Sequence, residues 1–166
     1  DLDSTSEKDL CAIEEHNIPK LKFSQDKDQS DLELAIQHAI KIGCEEIIIF
    51  GALGNRWDHS IGNLLLPIQA EFKNTNIQLW ENNEFFYFIK DSFSLEIPIN
   101  TNVSLFPLLN CENITTTGLK FPLINEPLEM GSPRGLSNIS VRKIIQITID
   151  GGLLLCIVGS SDKNNL

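Results

Sequence analysis

Apolar and polar positions follow a helical period in some early segments of the chain, and a period of two in most of the later ones. From Glu7 to His16 the apolar residues Leu10, Cys11 and Ile13 fit one stripe of a short helix, which Pro19 ends. Lys20 to Ser24 alternates as a strand does. The segment up to Ile42 sets Leu32, Leu34, Ala35, Ile36, Ala39 and Ile40 largely on one helical face. Ser30 suits the N-cap of that helix, Glu33 completes a capping box, and Gly43 closes it. Glu46 to Phe50 holds three isoleucines in a row, the pattern of a strand buried on both faces of a parallel sheet. Gly51 to Asn55 reads as a turn. The next helix starts at Arg56 or Trp57 and runs to Lys73, kinked or divided by Pro67, and Ile77 to Trp80 is a further strand.

After about Asn82 the helical period disappears. Short alternating runs follow at Phe85–Ile89, Phe93–Ile97, Asn102–Phe106, Asn113–Thr117, Ile139–Ile149 and Leu153–Val158. Turn signals separate them at Asn82-Asn83, Asp91-Ser92, Pro98, Asn110, Gly118 and Asp150-Gly151-Gly152. The loop from Pro122 to Asn138 is rich in Pro, Gly, Ser and Asn and has the look of a functional or interfacial segment. The expectation is an α/β protein: a parallel-sheet, Rossmann-like domain over residues 1–81, then an antiparallel β-sandwich over residues 82–166. A parallel sheet needs a strand ahead of its first helix, so at least one strand is expected upstream of residue 1, and one or two βα units of about 30 residues each would fit.

Composition narrows the partners. Of the 166 residues 42% are hydrophobic and 22% charged, enough to bury a core in water. The net charge of −10 disfavours the phosphate backbone of nucleic acid and anionic membrane surfaces. It leaves room for a nucleotide accompanied by Mg²⁺. Cys11, Cys44, Cys111 and Cys156 form no C-x-x-C pair and sit in or beside apolar stretches, so buried reduced thiols and a cytoplasmic location are expected. The longest apolar stretch, Ile144 to Gly159, is too interrupted to span a bilayer, and the opening residues are acidic rather than those of a signal peptide.

Three clusters carry candidate chemistry. Asp1 and Asp3 flank one apolar residue, so in an extended segment both carboxylates point the same way and can share one hard cation. Asp26, Asp28 and Asp31 lie in a loop that enters a helix, where Asp31 also complements the helix dipole and Lys27 can meet a phosphate. Gly51-Ala52-Leu53-Gly54-Asn55-Arg56 follows the most hydrophobic strand: its glycines let backbone N–H groups approach an anion, and Arg56 offers a fork of donors. Asp58 and His59 stand at the same helix start.

The order D-x-D-S, D-x-D-x-[ST]-D-x-E and G-x-x-G-x-R-x-D-H resembles the thiamine pyrophosphokinase family. Ser104-Leu105-Phe106-Pro107-Leu108, Gly118-Leu119-Lys120-Phe121-Pro122-Leu123 and Gly135-Leu136-Ser137-Asn138 are similar to that family's C-terminal motifs. The resemblance implies transfer of the pyrophosphoryl group of ATP to thiamine, with release of AMP, by a homodimer whose active site lies between subunits. It implies Asp1, Asp3 and Asp31 as Mg²⁺ ligands, with Asp28 a second choice. It places Lys27, Gly54, Asn55, Arg56 and His59 around ATP and gives Asp58 a catalytic role, with proton acceptance a candidate task. Ser137 and Asn138 would line the thiamine pocket. Asn55 stands where the family usually has a second glycine, Ser30 replaces the commoner Thr, and the glycine expected before Asp1 is absent. Two other readings exist. One is an inactive, truncated relative that binds thiamine and dimerises. The other is a haloacid-dehalogenase-type phosphatase, since Asp1-Leu2-Asp3-Ser4-Thr5 fits its nucleophile motif, although the β-rich second half offers no convincing later lysine and acidic pair.

Overall fold

The computed structural model of the chain describes residues 5–21, 23 and 28–159. It divides into two compact units, Asp1–Ile42 and Gly43–Leu166. The first holds helices α1 (Glu7–Glu15) and α2 (Asp31–Lys41). Ser6 caps α1 by accepting the Asp9 amide, and the helix stops at His16, before Pro19 is reached. Asn17 turns left-handed there, and the Ile18 amide reaches back to the Ile13 carbonyl. Ser30 caps α2 as expected, its hydroxyl accepting the Glu33 amide at 3.1 Å, and Gly43 follows the helix at φ +94°. No strand forms at Lys20, Leu21 and Phe23, all exposed; Lys22 and Ser24 lie outside the described residues.

The second unit starts with β1 (Glu46–Phe50), α3 (Trp57–Leu65) and β2 (Asn76–Glu81). Pro67 divides the helix expected to reach Lys73: α3 gives way to two 3-10 turns at Leu66–Ile68 and Ala70–Phe72. The remaining strands are β3 (Glu84–Ile89), β4 (Ser92–Glu96), β5 (Asn102–Pro107), β6 (Cys111–Thr117), β7 (Glu126–Leu128), β8 (Asn138–Ile139), β9 (Ile144–Thr148) and β10 (Leu154–Gly159). The single run expected at Ile139–Ile149 is therefore two strands with a turn between.

One sheet has the order β1-β2-β3-β10-β5-β8 and the other β4-β9-β6-β7. Among the described residues β1 and β2 form the one parallel pair, and every other pairing is antiparallel. The fold is thus mixed α/β, with a mostly antiparallel first sheet and an antiparallel second one. The parallel pair is hydrogen-bonded into the same sheet as β3 and β10.

Two apolar layers cover the first sheet. Val103, Leu105, Leu154, Cys156 and Val158 face Ile114, Leu128, Ile145 and Ile147 of the second sheet. On the opposite face Leu79, Phe86, Leu153 and Leu155 pack with Ile49, Ala52, Leu53, Leu64 and Ile68. Strand β1 is not buried on both sides: Ile47 and Ile49 are partly covered, whereas Ile48 and Phe50 are exposed. Among the described residues it lies at the end of the sheet order, and the α3 layer covers one face only.

All four cysteines are free, but only Cys111 and Cys156 are buried; Cys11 and Cys44 are exposed. Burial in the sheet pushes the Cys156 thiol up to about 12. A thiol reagent at pH 8 is expected to modify two groups quickly, Cys11 and Cys44, and the other two only on unfolding; four equal fast rates would contradict the packing. Because the folded Cys156 value lies above the unfolded one, its contribution to stability is full below about pH 9 and is lost as pH rises toward 12.

Candidate functional site

The loop between β1 and α3 is held from inside the helix. The buried Ser60 hydroxyl accepts the Gly54 amide at 3.0 Å and donates to the Gly54 carbonyl at 3.2 Å. Asn63 donates its side-chain amide to the Ala52 carbonyl at 2.7 Å. Ala52 and Leu53 anchor the same loop in the apolar layer. The Gly54 N–H is therefore committed to Ser60 rather than open to an anion. Gly51 needs the left-handed region, at φ +69°, while Asn55 does not. Sequence reasoning missed Ser60 and Asn63, although their i, i+3 spacing puts both on one helical face.

Arg56 precedes the first turn of α3 and makes no side-chain cap bond. Its guanidinium instead grips Asp58 twice, Nη2 to Oδ2 at 2.5 Å and Nε to Oδ1 at 3.3 Å. His59 Nε2 lies 3.9 Å from the same Asp58 oxygen. The hydrogen bond to Arg56 holds the Asp58 carboxyl below its ordinary value, and Asp58 raises Arg56 in return. Both side chains are largely exposed, so this ion pair is screened and easily exchanged for a stronger anion. Its geometry already presents the guanidinium fork at the helix start, where the first-turn amides favour negative charge.

In the first unit, Asp28 and Asp31 are exposed, and Asp31 opens α2 just after its Ser30 cap. Asp1, Asp3 and Lys27 lie outside the described residues. Among the described residues no three His, Cys, Asp or Glu side chains stand together as a metal centre.

The other candidate residues sit at β8. Asn138 is 6% exposed, and both ends of its side-chain amide are hydrogen-bonded. Its Oδ1 accepts the Phe121 and Ile139 amides at 3.0 and 2.9 Å, and its Nδ2 donates to the Phe121 carbonyl at 2.6 Å. Asn138 thus pins the Gly118–Leu123 loop. Ser137 is exposed and adopts φ +58°, an uncommon geometry for a residue with a side chain. Its amide donates to the Ser104 hydroxyl at 3.1 Å. Gly135 is obligatory nearby, since a Cβ there would stand 2.3 Å from the Leu105 carbonyl oxygen.

Both groups gather at one end of the first sheet. The C-terminal ends of β1 and β2, the start of β3, the end of β10, the start of β5 and β8 all lie there. Five inter-strand steps of about 4.8 Å separate β1 from β8, roughly 24 Å in all. A concavity of about 300 Å³ lies at the opposite end of β2 and β3, lined by Lys73, Thr75, Asn76 and Lys90 among others. There the Lys90 ammonium donates to the carbonyls of Phe72, Lys73 and Thr75, so its charge is already used by the fold.

Residues 1–79 match the family described as thiamin pyrophosphokinase, catalytic domain, and residues 93–154 match thiamin pyrophosphokinase, vitamin B1 binding domain. The thiamine pyrophosphokinase of Bacillus subtilis is 30% identical over 160 residues, which are 95% of this chain and 75% of the relative. Thiamine pyrophosphokinase 1 of Oryza sativa is 30% identical over 146 residues, 81% of this chain and 54% of the relative. The solved structure of the Bacillus subtilis enzyme superposes with a TM-score of 0.85 at 28% identity, covering 96% of this chain and 76% of that one. That of Geobacillus thermodenitrificans gives 0.80 at 26% identity, covering 100% and 77%. The chain belongs to the thiamine pyrophosphokinase family.

Proposed function

We propose that the chain transfers the pyrophosphoryl group of ATP to thiamine, giving thiamine diphosphate and AMP. The observation that carries this reading is the paired match to the family's catalytic and vitamin-binding parts, with Arg56 and Asp58 set at the end of the parallel strand pair. Residues 1–81 form the Rossmann-like catalytic part and residues 82–166 the thiamine-binding part. Four free cysteines suit a reducing, cytoplasmic setting, and no helix among the described residues is long and apolar enough to cross a membrane.

In this reaction the thiamine hydroxyl attacks the β-phosphorus in line and AMP departs, so the protein mainly positions groups and offsets charge. Arg56 leaves Asp58 to grip a phosphate, joined by Asn55 and His59; Gly54, its amide held by Ser60, fixes the loop, and Lys27 is a further candidate phosphate contact. Asp58 orients that guanidinium until the phosphate takes its place, and proton acceptance is then its candidate catalytic task. Asp1, Asp3 and Asp31, with Asp28 as reserve, offer the all-carboxylate donor set suited to Mg²⁺. When bound, that ion supplies charge neutralisation at the phosphate oxygens. Ser137 contacts thiamine, and Asn138 holds the adjoining loop in place for it. The roughly 24 Å between β1 and β8 across one sheet, with Arg56 in the loop after the first and Ser137 just before the second, favours a homodimer whose sites combine the two ends from different subunits.

Three outcomes are expected. AMP release from ATP should depend on thiamine and vanish in Asp3→Ala; thiamine-independent release would overturn the reading. Arg56→Lys should lower kcat/KM for ATP by about 10- to 100-fold with the melting temperature unchanged, because a lysine cannot reproduce the fork. Asn138→Ala should cost about 1–3 kcal/mol of stability, seen as a lower melting temperature, and raise the thiamine KM.

A further inference from the structure

One helical residue shapes the corner that presents Arg56. The Ser60 hydroxyl bonds both the N–H and the C=O of Gly54, and the Ser60 amide donates to the Arg56 carbonyl at 3.0 Å. A residue's N–H and C=O belong to the two peptide planes on either side of its Cα, and the rotation between those planes is its φ and ψ. Ser60 therefore fixes both planes at Gly54, which has no side chain to restrict them. Its amide fixes the plane after Arg56, and Asn63 fixes the plane after Ala52 through that carbonyl. Between Ala52 and Trp57, the Asn55–Arg56 peptide is the one that neither Ser60 nor Asn63 holds.

The burial pattern shows that packing alone does not call for this hydroxyl. Ser60 is 4% exposed on a helix face where Leu64, one turn on, joins the apolar layer under the sheet. An alanine there would suit both the helix and the layer better. A serine inside a helix usually bonds a carbonyl of its own helix, whereas this one reaches six residues back, outside α3. Gly54 is exposed, so water can satisfy its amide and carbonyl without help. What the hydroxyl adds is a fixed direction for the corner. We infer that Ser60 is a positioning residue for the nucleotide phosphates, acting through Arg56. It holds the corner in the bound geometry beforehand, so less ordering is left for the moment of binding. This rests on the proposed use of ATP and adds a residue that touches neither substrate.

The test is calorimetric binding of ATP with Mg²⁺, alongside thiamine-dependent AMP release and melting temperature, for the wild type, Ser60→Ala, Arg56→Ala and the double variant. Ser60→Ala should bind ATP about 5- to 30-fold more weakly, the worth of two hydrogen bonds, with the thiamine KM unchanged. In the Arg56→Ala background the same substitution should cost less than about 2-fold further, because the residue it acts through is gone. Ser60→Cys, of similar size with a weak donor, should fall between, and it carries the same cycle if the alanine variant does not fold. Wild-type ATP affinity in Ser60→Ala would overturn the inference, whatever the melting temperature. So would an equal loss with and without Arg56, since a merely structural role acts in both. If thiamine-dependent AMP release persists in either case, the transferase reading stands and the positioning role alone fails. Coupled loss of ATP binding without any transfer by the wild type would sink the transferase reading and keep the positioning role. No ATP binding by the wild type would remove both.

Discussion

The central position of β10 is the constraint on which the rest of the second unit depends. It pairs along its whole length with β3 on one side and β5 on the other. Leu154, Cys156 and Val158 point into the layer between the sheets, while Leu155 points into the layer under α3. Both apolar layers therefore share one six-residue strand that arrives last among the strands. Closing that sheet requires contacts between residues far apart in sequence, so the fold completes only when β10 inserts. An apolar strand with no charged residue is what such a slot demands.

The site inherits its geometry from this arrangement. Because β3 runs antiparallel to both β2 and β10, the ends of β10 and β2 meet at one rim of the sheet, beside the end of β1. Loops at that rim carry Arg56 and Ser137, with Asp58 in the first turn of α3, and each loop is fastened to rigid structure by a buried or half-buried polar side chain. Ser60 and Asn63 do this for the first loop, and Asn138 fixes Phe121 beside the second. The exposed Arg56–Asp58 pair is the adaptable part, since its charge-assisted bonds lie in water and can be traded for a phosphate. Such a division between fixed loops and one exchangeable ion pair suits chemistry that is mostly positioning.

Much of this was legible in the sequence. The Ser30 cap, the strand at Glu46–Phe50 and the short strands after Asn82 each follow from a local rule, and the structure realises them. What escaped depends on tertiary context. Three isoleucines in β1 suggested burial on both faces, but among the described residues a layer covers one face only, and five residues carry no mark of that. The Asn138 hydrogen bonds reach a loop 17 residues away that only folding brings near. Cys11 and Cys44 lie in or beside apolar stretches yet point outward, because a helix stripe or a strand approach has a wet side as well. The antiparallel continuation of β2 into β3 was hidden for the same reason: pairing partners are a property of the whole sheet. The family motifs supplied what local rules could not, namely which polar residues are proposed to share one site.

The most direct test of the proposed site is a crystal structure of this chain with thiamine and a non-hydrolysable ATP analogue. Phosphates are expected against Arg56 at the start of α3 and thiamine beside Ser137, both at the rim where β1, β2 and β10 end. Nucleotide density at the opposite end of the sheet, in the concavity lined by Lys73 and Lys90, would contradict that placement.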